Sequence, residues 1–330
     1  MHEFWAKIVQ TGGARIYVYI IGFVTLAVTA RWLGPEGRGV IVGVATWVNL
    51  FGIFGDLSLG QVVLHHAAER RGQPWLANAF GSLLLICGAI TILGWIVAFV
   101  LYWATDGALY ENLAPLLLLI GFVGLPLNIW ERYGSGLLIA LDQVSDYNKA
   151  QIAGRSIGLL IIGLVWWFQG GIASILISLL AGQTIITGIC TYFLFRYTEA
   201  LVRPNTGVIR DLITGGLKLH WNAVGAFMVM STDILIINHY RNLEEAAYYQ
   251  LAVQLMTIML IIPAAAATVV SSKISQLGPD EAWRYNRNVM IWLTLAMIVL
   301  SCLAALLAPV MIPLMMGAQF DPAVPVFQLS

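Results

Sequence analysis

The chain is predicted to be an all-α, polytopic membrane protein, a helical bundle of two parallel six-helix repeats with the second repeat incomplete. Three observations predict it. Hydrophobic residues make up 59% of the 330 positions and charged residues only 10%, against about 25% charged in soluble domains. Long apolar runs recur from Ile16 to Met316, and roughly 20 such residues carry an α-helix across a bilayer. The polar connections between the runs alternate between rich and poor in Lys and Arg. A closed barrel is the other way to satisfy backbone hydrogen bonds in lipid, but these runs are too long and lack its period-two alternation.

In chain order, spans are placed at Ile16 to Leu33, Val40 to Val63, Leu76 to Ala104, Leu113 to Leu141, Ile152 to Phe168, Ile172 to Phe195, Leu217 to Ile237, Ala246 to Val270 and Val289 to Met316. These are nine complete helices, with a tenth begun after Met316. Between the first two, Gly34, Pro35, Gly37 and Gly39 form a breaker cluster suited to a tight outer hairpin. Gly52, Gly55, Ser58 and Gly60 line the second span with small side chains, which lets a neighbouring helix approach closely. Pro263, Pro309 and Pro313 fall inside late spans, where neighbouring helices can satisfy the freed carbonyls.

Orientation follows from the connections. With the N-terminus in the cytoplasm, the inner side holds Lys7, Arg70, Arg71, Lys149, Arg196, Arg203, Arg210, Lys218, Lys273, Arg284 and Arg287, and the outer side only Arg31, Arg38 and Arg241. Short loops rich in Lys and Arg stay inside. The apolar stretch after Lys7, ending in Val28-Thr29-Ala30, imitates a cleaved signal peptide, but Arg15 interrupts it.

An internal echo sets the domain organisation. Thr11-Gly12-Gly13-Ala14-Arg15, followed by Gly22, matches Thr214-Gly215-Gly216-Leu217-Lys218, followed by Gly225, at a constant offset of 203 residues. Parallel repeats are a recurring transporter design. The echo predicts an N-terminal lobe of residues 1–200, a cytoplasmic linker of 201–216 with an amphipathic Val208 to Ile213 segment lying at the inner surface, and a partial C-terminal lobe of 217–330. The same offset implies that the chain stops inside its tenth helix, about three helices short of twelve.

Charge excludes some functions. The 17 basic and 17 acidic residues cancel, so no global field attracts nucleic acid. Cys87, Cys190 and Cys302 each lie in an apolar run without CxxC spacing and read as small buried hydrophobes, not as disulfide or metal ligands. No phosphate-loop motif is present, and no cofactor is implied. An enzyme acting on lipid-linked sugars needs converging acids or metal ligands in water, which the short outer connections do not supply.

Several motifs together resemble one family. Leu33-Gly34-Pro35-Glu36-Gly37-Arg38-Gly39, Asp56-Leu57-Ser58-Leu59-Gly60-Gln61, Ser231-Thr232-Asp233 and Gly317-Ala318-Gln319-Phe320-Asp321-Pro322-Ala323 resemble the landmarks of bacterial polysaccharide (O-antigen) flippases. These form the polysaccharide transporter branch of the multidrug and oligosaccharidyl-lipid exporter superfamily. The order Ser58 then Gly60 and the absence of a Gly-Pro turn at Arg241-Asn242-Leu243 depart from the family pattern. The resemblance implies alternating access between two lobes in the inner membrane, with the headgroup of a lipid-linked oligosaccharide crossing a polar cleft while its polyprenyl tail stays in lipid. It also implies partners among membrane lipids and the glycan polymerase and glycosyltransferases of the same pathway.

Ionisable residues in or near spans are the functional candidates, because charge at depth is costly and faces water or a partner. Substrate-binding candidates are Arg15, Lys218, Arg132, Arg155 and His220. Arg15 and Lys218 are equivalent in the echo and are expected to face the cleft and attract a pyrophosphate, Arg through paired donors and Lys as a point charge. Positive-inside anchoring is the competing reading of both. Asp56 and Asp233 are candidates to carry a coupling proton or sodium ion; Glu131 beside Arg132 is a further candidate, with a local or interhelical ion pair as the competing reading. Cation-driven drug efflux is the alternative function, and it would favour an acidic, aromatic cavity over this cationic set.

Overall fold

The computed structural model describes residues 2–69, 75–110, 113–198, 202–260, 262–263, 270 and 279–329. Among them every regular element is helical. They are α1 (His2–Asp56), α2 (Leu59–Glu69), α3 (Trp75–Ala104), α4 (Pro115–Val123), α5 (Leu125–Ala140), α6 (Val144–Trp167), α7 (Ile172–Tyr197), α8 (Thr206–Tyr240), α9 (Leu243–Met259), α10 (Pro279–Met316) and α11 (Ala323–Leu329). Among the described residues six helices are long and apolar enough to cross a membrane, or seven if the bent α8 counts as one.

The difference from nine spans has two sources. The first two predicted spans are joined in α1, whose 55 residues would extend about 80 Å, well over twice a bilayer core. Gly34, at φ 70° and ψ −177°, divides it in a conformation open to glycine alone. The predicted span from Ala246 to Val270 corresponds to the 17-residue α9 and then runs into positions outside the described residues. Arg70, Arg71 and Lys273, used for orientation, positions 199–200 before the linker and position 201 at its start also lie outside them.

The second predicted span is corrected as well. It was expected to run from Val40 to Val63, but α1 ends at Asp56 and α2 begins at Leu59. Leu57 (φ 49°) and Ser58 (φ 55°) occupy the left-handed region consecutively, at a cost of roughly 1–3 kcal/mol each unless the surroundings hold them.

The chain forms two compact units, one of Met1–Leu26 with Gly39–Leu243 and one of Ala27–Arg38 with Glu244–Ser330. The helix α8, which the echo assigns to the second lobe, packs in the first unit against α2 and α3. Asn205 caps it, its side-chain oxygen accepting from the amides of Gly207 (2.9 Å) and Val208 (3.2 Å), as an N-cap asparagine does. Val208 and Leu212 are therefore buried, not laid on the inner surface as the amphipathic pattern predicted. In the echoed motif, a Cβ at Gly216 would collide with the Leu57 carbonyl and the Leu59 side chain, whereas Gly13 has nothing near it.

Glycine sets the closest helix contacts of the first unit. Between α2 and α5, a Cβ at Gly136 would overlap the backbone of Gly60, and one at Gly60 would press on the Arg132 carbonyl. Gly154 on α6 and Gly182 on α7 touch backbone to backbone in the same way, the small-residue packing used where lipid gives no hydrophobic drive.

In the second unit, two of the sequence landmarks meet. Pro35 has no N–H, so the Arg31 carbonyl one turn earlier loses its helical donor. The Gln319 amide supplies one instead, donating to the carbonyls of Arg31 (3.3 Å) and Ala30 (3.1 Å). In return Arg31 donates to the Leu314 carbonyl at 2.6 Å, beside the chain reversal at Gly317 (φ 96°).

Candidate functional site

The break between α1 and α2 gathers the charged candidates. The Asp56 carboxylate turns back and accepts from the Ser58 amide at 2.7 Å, which satisfies one donor of the new helix. The phenol of Tyr133, fully buried, donates to the Asp56 carbonyl at 3.0 Å. Arg132, one residue earlier on α5, lies 3.5 Å from the Asp56 carboxylate. Its Nε donates to Asn128 Oδ1 (3.1 Å), and Asn128 Nδ2 donates to Asn49 (3.0 Å) on α1. The strained backbone is thus held by a carboxylate cap from within and by α5 from outside.

Small residues make this possible, as the sequence predicted. Gly52 lies against Asn128, Gly55 against Ile90 and Ile129, and Gly60 against the Arg132 carbonyl. His220 on α8 is buried, meets Phe54 edge-on at 6.4 Å between centroids, and lies within electrostatic range of Asp56. Its Nδ1 has no hydrogen-bond partner.

The remaining candidates are dispersed. Arg15, Arg155 and Lys218 are exposed, and none forms a hydrogen bond or ion pair among the described residues. The Tyr17 and Ser156 hydroxyls meet at 2.9 Å, which sets Arg15 on α1 and Arg155 on α6 at neighbouring levels. Lys218 follows Gly216, which rests on the Leu57 carbonyl. Asp233 accepts from the Ile234 amide at 3.0 Å within its own helix and is not part of the Asp56 cluster.

Glu131 and Arg132 do not pair with one another. Adjacent residues on a helix diverge by about 100°, so Arg132 reaches α1 while Glu131 turns to α6 and α7. There it accepts from Gln151, Gln183 and Tyr147. Sequence reasoning missed Tyr133, Asn128, Asn49 and these glutamines because it weighed only ionisable groups. The available signal was the polar pair Tyr147 and Gln151 at helical spacing, and Gln183 in mid-run on an otherwise apolar α7.

Replacing Tyr133 with Phe tests the support of the break directly. Loss of its hydrogen bond leaves the Asp56 carbonyl unpaired, and the variant is expected to lose about 1–2 kcal/mol, read as a lowered thermal midpoint of the purified protein.

The fold is similar to that of solved multi-helix membrane proteins. The chain superposes on an inward-facing multidrug resistance MATE family transporter of the MOP superfamily with a TM-score of 0.70, at 17% identity, over 94% of this chain and 76% of that one. The outward-facing conformation of such a transporter gives 0.59 at 13% identity, covering 96% and 78%. A MATE protein in complex with MaD5 gives 0.56 at 13% identity, covering 97% and 79%. The fold is therefore that of the MOP-superfamily transporters, an all-α multi-pass membrane bundle. Residues 4–277 match the model of the family described as polysaccharide biosynthesis protein, and the chain belongs to that family. No curated protein matches the chain.

Proposed function

We propose that the protein is a flippase that moves polyprenyl-pyrophosphate-linked oligosaccharide across the bacterial inner membrane, N-terminus inside, by alternating access between two lobes. It acts as a transporter and not as a catalyst of glycan transfer, and hands its substrate from glycosyltransferases on one face to a polymerase on the other. The observation that carries this reading is the excess of uncommitted cations in the first unit. Arg15, Arg155 and Lys218 are exposed with no acidic partner among the described residues, and the Nδ1 of buried His220, near Asp56, has no hydrogen-bond partner. A pyrophosphate is the substrate group that such a set attracts, and membership of a polysaccharide biosynthesis family supports a glycan on it. Cationic drugs would be repelled by the same residues.

The lobe division at residues 201–216 rests on the sequence echo, and Arg15 and Lys218 are its matched pair. In cells lacking their own flippase, the double variant Arg15→Gln with Lys218→Gln is expected to cut polysaccharide output roughly tenfold or more at unchanged membrane level, since each charge-assisted bond contributes about 1.5–3 kcal/mol. Undiminished output from normally expressed double variant would remove this pair from the mechanism.

A further inference from the structure

In both copies of the sequence echo, one exposed helix side repeats an order of side chains that a need for positive charge does not explain. On α8, Lys218 is followed three residues on by Trp221, which is 78% exposed, four on by Asn222 and seven on by Gly225. At about 100° per residue, all of these fall within roughly 60° of Lys218 on the helix surface. On α1, Arg15 is followed four residues on by Tyr19, 43% exposed, and seven on by Gly22. A Cβ at Gly22 or at Gly225 would meet nothing within 4 Å. Each copy thus presents a cation, an aromatic ring one turn further along, and open space beside the backbone a turn beyond that. Trp221, Asn222 and Tyr19 form no side-chain hydrogen bond or ring contact among the described residues.

The packed side of α8 lies elsewhere: Leu212, His220 and Phe227 are buried, and Gly216 rests on the Leu57 carbonyl. A side turned to lipid carries apolar residues, but this one exposes Thr214, Lys218 and Asn222, and a charge in hydrocarbon is costly. It therefore faces water or a polar ligand. The polar stretch ends at Gly225, beyond which Met228 and Val229 are exposed. From Thr214 to Asn222 it measures about 12 Å, which suits a charged headgroup and one ring but not a whole glycan. The aromatic ring lies about 4.5–6 Å further along the axis than its cation, the step from a phosphate to the ring it esterifies. The C–H face of a pyranose stacks on an indole, and its hydroxyls pair with a side-chain amide that both donates and accepts. An ethanolamine or glycerol headgroup offers the same phosphate without a ring, and leaves Trp221 unused.

We infer that Trp221 is a specificity residue: it stacks on the first sugar of the lipid-linked substrate, the pyranose bonded directly to the pyrophosphate that Lys218 attracts, while Asn222 pairs with a hydroxyl of that ring. This rests on the flippase reading and names the part of the substrate that α8 distinguishes. The test is equilibrium binding of two radiolabelled probes to the purified full chain in lipid nanodiscs, polyprenyl pyrophosphate alone and the same lipid carrying a single pyranose. The native chain is expected to prefer the glycosylated probe by roughly three- to tenfold, the size of one aromatic stacking contact. Trp221→Leu should abolish the preference and leave affinity for the bare probe unchanged, whereas Trp221→Tyr, which restores a ring, should keep most of it. Lys218→Gln should weaken both probes by the same factor. A residue that only anchors the helix at the membrane surface would leave the ratio of the two affinities untouched in every variant. Equal affinity of the native chain for both probes, or an intact preference in Trp221→Leu, would overturn the assignment and leave the flippase reading standing. Failure of the native chain to bind either probe would overturn both.

Discussion

Replacing Arg132 with Gln is expected to destabilise the protein by about 2–3 kcal/mol. Removing one partner of a fully buried ion pair costs about 3–5 kcal/mol, because the other charge stays uncompensated. Here the Arg132 side chain keeps 38% of its exposure while that of Asp56 keeps only 11%, and solvent screening of the exposed partner brings the effect below that range. The charge left behind sits at the two left-handed residues, so the loss is felt at the α1–α2 break itself. Asp56→Asn should cost less, since its amide oxygen still accepts from the Ser58 N–H. The double variant should recover part of the loss, with an interaction energy of roughly 1–2 kcal/mol. Thermal unfolding of the four proteins in one detergent measures this; simple additivity would show that the pair is incidental.

The second large effect is steric. Gly136→Val places a branched side chain where the Gly60 backbone already lies. Backbone cannot move aside as a side-chain tip can, so α5 must separate from α2. That exceeds the roughly 1–3 kcal/mol of ordinary overpacking, and it pulls Arg132 and Tyr133 off the break. The variant is expected to give little or no monodisperse protein by size exclusion. Gly88→Val and Gly163→Val, where a Cβ meets nothing within 4 Å, should behave like the native chain. Equal behaviour of all three would contradict the close α2–α5 packing.

Hydropathy made two of the apolar helices legible almost to the residue. The span predicted from Leu76 to Ala104 is the helix Trp75–Ala104, and that predicted from Ile172 to Phe195 is Ile172–Tyr197. Lipid accepts few alternatives to a continuous helix, so composition alone decides such segments. The break at Leu57 and Ser58 was not legible, because neither residue is a helix breaker. It is imposed from outside by Tyr133 and Arg132, far away in sequence, and from inside by an Asp56 cap that a scan for charge reads as a candidate ion carrier. Similarly, Val208 and Leu212 have the pattern of a surface helix, but Gly215 and Gly216 let that helix approach α2 closely. The basic candidates were named from the sequence. The polar shell around Glu131 consists of neutral residues whose convergence only the packing of α5, α6 and α7 reveals.

The central claim is tested most directly in proteoliposomes that carry a polyprenyl-pyrophosphate oligosaccharide on both leaflets. An impermeant glycosidase added outside reports which headgroups have crossed. With the native chain, digestion should proceed past the outer-leaflet fraction towards completion, whereas protein-free vesicles stop at that fraction, and an organic-cation dye should not be moved. Digestion that stops at the same fraction with folded protein present, or movement of the dye without the glycan lipid, would contradict the account.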